Sequence, residues 1–302
     1  MFPKAFFRGC LLMLLSQTLN TPAVAQMPIG SIVAASPLIE AKSLRPKANW
    51  KQTEPFQGTL LLCGGGVIPL AIRDEFYQLG KGAEGSLVLI PTASPRSDGG
   101  EYTMWIDYWS GFRWKNVKVV HAANREDAFD PSLFSQLRTA SAVWLSGGEQ
   151  QRLSDRYAGT PIETELHALL ARGGIVGGTS AGAAIASSNM IAGGRVDPLF
   201  SNGLQFLPKT IIDQHFTQRK RHGRLLKAIE AHPGLCGLGI DESTGLFVSK
   251  NVSRVVGDGS VYLLNPTTLR NKLEYSDDVF RKLSAGDSLD TAELLPIADT
   301  LD

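Results

Sequence analysis

The chain has 302 residues, 43% of them hydrophobic and 20% charged, an ordinary globular composition with enough apolar residues for a sizeable core. Its 30 basic and 29 acidic residues nearly cancel, which gives no support to a nucleic-acid or membrane-surface role.

In chain order, Met1 to Ala25 read as a secretory signal peptide. Lys4 and Arg8 precede the apolar run Leu11 to Leu15, and Ala23-Val24-Ala25 forms an A-x-A cleavage pattern. Ser16, Gln17 and Asn20 interrupt that run well short of a bilayer span, so a secreted or periplasmic protein is expected rather than an anchored one. Arg8 before Cys10 and the apolar run after it argue against lipoprotein attachment. Losing Lys4 and Arg8 leaves the charge near balance. Of the three cysteines, Cys63 and Cys236 remain, each in an apolar stretch typical of a buried strand. Two free core thiols are favoured over a disulfide, and neither cysteine has a zinc-ligand spacing.

From Gln26 to about Phe56 the chain is polar and dotted with Pro28, Pro37, Pro46 and Pro55, as in an arm or linker. A single α/β hydrolytic domain is then expected over 57–302. Thr59 to Cys63, Ser86 to Ile90, Val117 to Val120 and Ala142 to Leu145 are short continuous apolar runs, the pattern of strands buried on both faces. Helices are predicted between them, after Pro69 as far as Gly80, from Glu101 to Phe112 and from Pro131 to Ala140. Trp105, Tyr108, Trp109 and Trp114 form an aromatic stripe, read as core. A further helix, Thr160 to Ala171, feeds the strand at Ile175-Val176. Alternating strands and helices predict a doubly wound, mostly parallel sheet, whose sites form beyond the carboxyl ends of the strands. The clusters Gly64 to Gly66, Gly147 to Gln150 and Gly178 to Gly182 should therefore converge. Later, Ile211 to Phe216 is an apolar run, Arg221 to Ala231 a helix, and Leu235 to Ile240 with Gly245 to Val248 a predicted hairpin turning at Asp241 to Thr244. The β pattern continues from Ser253 to Leu264, and 281–302 shows no clear element.

Gly178-Thr179-Ser180-Ala181-Gly182 is a G-x-S-x-G sequence at a strand-to-helix turn, the context of a nucleophile elbow. Glycines on both sides permit strained dihedrals that leave the Ser180 hydroxyl exposed and the next amide aimed at a bound carbonyl. A serine nucleophile needs a base and an acid to orient it. Among five histidines, His121, His167 and His232 sit in ordinary contexts and His222 in a charged helix, read as solvated; His215 ends a strand, where catalytic groups gather. Glu242 also ends a strand, with Asp197, Asp213 and Asp241 as competing acids. The order serine, histidine, acid does not fit an α/β-hydrolase, whose acid precedes its histidine.

Four motifs now stand in order: Gly147-Gly148-Glu149-Gln150, Gly178 to Ala183, Asp213-Gln214-His215-Phe216 with the arginines after it, and Gly239 to Thr244. Together, spanning Gly64 to roughly Leu264, they resemble the cyanophycinases, in the serine peptidase family that also holds aspartyl dipeptidase. The resemblance implies a fold akin to class I glutamine amidotransferases with serine in place of their cysteine. It implies a Ser180, His215, Glu242 triad, oxyanion donors at the amides of Gly148 and Ala181, a homodimer, and no metal or organic cofactor. It also places Gln150, Asp213, Gln214, Arg219, Arg221 and Arg224 in the substrate pocket. Cyanophycin is polyaspartate with arginine on each side chain, so arginines that fork onto carboxylates, and amides or an aspartate that take a guanidinium, fit it. The expected reaction is exopeptidase release of β-aspartyl-arginine through an acyl-enzyme. These arginines are expected to be exposed and of little consequence for folding. Glu149 where aspartate is usual, Gly245 where alanine is usual, and a short segment between Ser180 and His215 depart from the pattern and bear on substrate choice. A relative acting on short aspartyl peptides is the nearest alternative reading; a catalytically silent binding protein is another, which the complete serine, histidine and glutamate set disfavours.

Overall fold

The computed structural model describes residues 57–266 and 279–295. The signal peptide read at 1–25 and the arm at 26–56 lie outside the described residues. In chain order the first half folds as β1 (Thr59–Cys63), α1 (Leu70–Leu79), β2 (Ser86–Ile90), α2 (Thr103–Trp109), β3 (Asn116–Val119), α3 (Pro131–Arg138), β4 (Ala142–Leu145), α4 (Gln150–Tyr157), α5 (Pro161–Ala171) and β5 (Ile175–Thr179). The second half adds α6 (Ala181–Ala184), β6 (Asn189–Gly193), β7 (Leu199–Asn202), β8 (Thr210–Gln214), α7 (His222–Ala231), β9 (Cys236–Ile240), β10 (Thr244–Val248), β11 (Val252–Gly257), β12 (Ser260–Leu264), β13 (Arg281–Ser284) and β14 (Ser288–Asp290).

An eight-stranded sheet runs β14-β11-β10-β1-β5-β4-β2-β3. Its β1, β5, β4, β2 and β3 are parallel, while β10, β11 and β14 extend it antiparallel beyond β1. Successive side chains of one strand point to opposite faces, and the core divides accordingly. Leu60 and Leu62 pack with Val143, Val176, Leu137 and Leu166 on the α3 and α5 side. Leu61 and Cys63 pack with Ile72, Phe76, Trp109 and Trp144 on the α1 and α2 side. The sheet is doubly wound, as the apolar runs predict, and the aromatic stripe is core: Phe76 and Trp144 meet edge-on at 5.2 Å, with Trp109 5.1 Å from Trp144. Cys63 and Cys236 are buried free thiols, and burial pushes both thiols up, Cys236 to about 12.

A second sheet, β13-β12-β9-β8, overturns the predicted hairpin. β9 pairs with β8 and β12, whereas β10 pairs with β1 and β11, so residues 241–243 carry the chain from one sheet to the other. Both strands are buried throughout. Each needs a neighbour on both edges and cover on both faces, which two strands of an isolated hairpin cannot give each other. The chain returns to the small sheet through Asp258 and Gly259. α7 covers that sheet with Leu225, Ala228 and Ile229, against Ile211 and Phe216. His222, read as solvated, instead packs 4.4 Å from the Phe216 ring and 5.6 Å from Tyr262.

Candidate active site

β1 and β5 are parallel neighbours that end side by side, with Cys63 opposite Thr179. Their carboxyl ends open the sheet edge where Ser180 sits. Ser180 has φ 52° and ψ −109°, a strained conformation for a residue with a β-carbon, and its amide donates to the Cys63 carbonyl at 2.9 Å. The elbow read from G-x-S-x-G is thus present. A β-carbon on Gly178 would fall 2.3 Å from the Gly182 carbonyl oxygen, so the turn closes only with glycine there.

β8 delivers His215 to the same edge. Its amide donates to the Gly64 carbonyl at 2.7 Å, and its ring Nε2 lies 2.8 Å from the Ser180 hydroxyl. Nδ1 lies 2.5 Å from Oε1 of Glu242, the residue in the passage from β9 to β10. The three side chains form one continuous relay. Burial holds the His215 pKa below its ordinary value; the Glu242 hydrogen bond opposes this, while Arg219 and Arg221 reinforce it. The ring is therefore neutral at neutral pH, the form that can accept a proton.

The competing acids are otherwise engaged. Asp241 accepts from the Thr217 amide and hydroxyl and from the Ser260 amide, which ties the crossover to both neighbouring segments. Asp197 is exposed and pairs with Lys227 at 2.6 Å. Asp213, expected in the pocket, lies behind it: its carboxylate is fully buried and accepts from Arg224 Nε at 2.8 Å, from Arg224 Nη2, and from Arg221 Nη1 at 3.2 Å. It orients the arginines and is closed to a ligand. The exposure expected of Arg219, Arg221 and Arg224 alike is also corrected. Arg224 is buried, paired with Asp213 and bonded to the Gly194 carbonyl at 2.5 Å, while Arg219 is exposed. Arg221 donates to the Gln214 carbonyl at 2.5 Å and to the Gln214 side chain. Desolvation lowers its pKa to about 10, which leaves it charged at neutral pH.

A cavity of about 740 Å³ opens at Ser180. Gly148, Gln150, Gln214, Arg219, Arg221 and Arg224 line it, and Asp213 does not. Gly147 is close enough that its β-carbon would lie 3.5 Å from that of Ser180. The amide of Ala181, in the leading turn of α6, has no acceptor within its helix. Gly148 faces the cavity with φ 146°, and a β-carbon there would meet the Ala93 carbonyl at 2.3 Å. That carbonyl accepts the Glu149 amide at 2.8 Å, and Arg152 braces the same loop through the Thr92 carbonyl at 2.9 Å and Asp98 at 2.6 Å.

Sequence reasoning missed two features. One is the packing of Gly65, in a glycine cluster already expected at this edge, against the His215 ring. The other is the β6–β7 hairpin, which brings Ala192 to Arg195 to the cavity wall and is tied down by Gln150 Nε2 donating to the Ile191 carbonyl at 2.8 Å. The short segment after Ser180 was a signal for a wall, but its few apolar residues and paired glycines carried no strand period.

The sequence profile described as peptidase family S51 matches residues 60–256. The chain is 31% identical over 252 residues to a cyanophycinase of Synechococcus elongatus, covering 80% of this chain and 77% of that one. It is 33% identical over 255 residues to a cyanophycinase of Trichormus variabilis, covering 79% and 82%. The crystal structure of a peptidase from an acI-B1 Actinobacterium superposes with a TM-score of 0.64 at 21% identity, over 78% of this chain and 98% of that one, and shares its fold. The matched residues run from β1 into β11 and contain the whole relay of Ser180, His215 and Glu242; this chain belongs to peptidase family S51 and is a serine-type peptidase.

Proposed function

We propose that the chain is an exported exopeptidase that hydrolyses cyanophycin to β-aspartyl-arginine dipeptides through an acyl-enzyme. The observation that carries this reading is the cavity at Ser180, lined among the described residues by four arginines and no carboxylate side chain. Its volume lies within the range of roughly 300–1,000 Å³ usual for ligand pockets. Such a site favours a ligand that brings several anionic groups, and a polymer carrying a carboxylate at each step does so. The likeness to the two cyanophycinases supports it further.

In the reaction, Ser180 Oγ attacks the scissile carbonyl while His215 Nε2 takes its proton. Glu242 holds the Nδ1 proton and stabilises the imidazolium. The amides of Gly148 and Ala181 would receive the negative oxygen, where one well-placed donor is worth about 10²–10³ in kcat. His215 then protonates the leaving amine, and water, deprotonated by the same ring, releases the acyl group from Ser180.

Incubating the purified protein with cyanophycin and with short aspartyl peptides tests the reading, with Ser180→Ala as the inactive control. Release of β-aspartyl-arginine is expected. Turnover of short peptides alone would favour an aspartyl dipeptidase-like activity. Export is tested by sequencing the amino terminus of the extracytoplasmic protein, expected at or near Gln26; a cytoplasmic protein retaining Met1 would overturn it.

A further inference from the structure

Four arginines line the cavity, but they are not equivalent donors. Arg224 spends Nε, Nη1 and Nη2 on Asp213 and the Gly194 carbonyl. Arg221 spends Nη1 on Asp213 and Gln214. The Arg224 guanidinium is thus committed within the protein, and that of Arg221 is held at one end through Nη1. Arg195 and Arg219 are exposed, and neither side chain hydrogen-bonds to another described residue. Among the described residues they are the two cavity arginines whose whole guanidinium is uncommitted.

The two differ in position. Arg219 follows the β8 strand end and is near enough to His215 and Arg221 to act on the titration of both; Arg195 is not among the principal charges acting on either. Arg195 comes instead from the tip of the β6–β7 hairpin. Its acidic neighbour Asp197 is taken by Lys227, so the turn does not neutralise it. The backbone beside it is fixed. Gly194 has φ 86°, its carbonyl is held by Arg224, and the Ile191 carbonyl is held by Gln150. A charged group on a pinned backbone loses less entropy on binding than one on a loose loop.

We propose that Arg195 is a specificity-determining residue that binds a carboxylate of the substrate lying beyond the residue whose bond is cut, while Arg219 serves the reacting residue itself. The inference rests on the cyanophycin reading, in which the polymer presents a further carboxylate one step along. A free amino acid ester has nothing to offer Arg195.

Steady-state kinetics of the full-length enzyme, Arg195→Gln and Arg195→Lys test this on cyanophycin and on an aspartyl ester with no further carboxylate. Arg195→Gln is expected to raise KM for cyanophycin about ten-fold, the weight of one charge-assisted hydrogen bond at an exposed site, with kcat changed far less. The effect on the ester should be much smaller. Lysine should restore part of the loss, since it keeps the charge without the planar fork. Raising the salt should narrow the gap between wild type and Arg195→Gln, because an exposed ion pair is screened. A KM for cyanophycin equal to wild type in Arg195→Gln, or an equal loss on both substrates, overturns this inference alone. Absence of cyanophycin cleavage by the wild-type enzyme overturns the substrate reading and this inference with it.

Discussion

The imidazole of His215 occupies the space in which a side chain at Gly65 would begin: a β-carbon there would fall 2.2 Å from Cε1 and 2.6 Å from Nε2. Gly65 also has φ 109°, a conformation that residues with a β-carbon rarely adopt. Gly65→Ala must therefore push the ring away from Ser180 or distort the loop that holds it. A displacement of about 1 Å costs about 10²-fold in rate. Turnover should fall by that order while circular dichroism stays native, and a variant with near wild-type kcat would contradict the packing.

Arg224 and Arg219 should separate in stability. Arg224→Ala strips the buried Asp213 carboxylate of its closest partner, a change that costs about 3–5 kcal/mol. Arg219 is exposed, and Arg219→Ala should stay within about 0.5 kcal/mol of wild type. Urea unfolding of both variants measures the difference; equal midpoints would mean that the Asp213 cluster does not hold β8 to α7.

The pH profile follows from His215, whose pKa burial lowers from the model-compound value of 6.5. The neutral ring is the active base, so the acid limb of kcat/KM should fall below pH 6.5, the activity being lost as pH drops through the lowered pKa. Glu242 favours the protonated ring. Glu242→Gln should therefore move the limb to still lower pH while cutting kcat about 10⁴-fold. A limb that moved to higher pH would show that the carboxylate does not act on this ring.

Arg152 touches neither Ser180 nor the cavity lining, yet it braces the loop whose Ala93 carbonyl fixes Glu149 and crowds Gly148. Arg152→Gln should lower kcat on the order of ten-fold with a smaller change in KM, because a displaced amide is felt most when the carbonyl oxygen becomes negative. A rise in KM with unchanged kcat would place its effect on substrate binding instead.

The strands β1, β2 and β4 can be read from the sequence to the residue, because each is a continuous apolar run cut off by a polar or glycine cluster. Partnership cannot be read that way. Cys236–Ile240 and Thr244–Val248 both lack an alternating polar face, and nothing in either run says which sheet it joins. Ser180 and His215 were legible because each directly follows a strand; Glu242, on the crossover past the end of β9, was one of four candidate acids and was singled out by the resemblance. The arginines were not legible, since Arg219 to Arg224 reads as one run of charge. The helical period of α7 decides: Arg224 turns inward with Leu225 and Ala228, and Arg219, ahead of the helix, stays outside. Arg195 escaped notice because its hairpin has glycines and exposed side chains where a strand pattern would be sought.

Ser180 ends a strand of the large sheet, His215 ends a strand of the small one, and Glu242 lies on the chain that crosses between them. A half-assembled copy with only the large sheet formed carries the strained serine and the glycine edge beside it, but nothing to receive the serine's proton. The relay is complete only where both sheets are in place. In a protease built this way, catalytic competence belongs to the finished tertiary structure and not to the serine elbow alone.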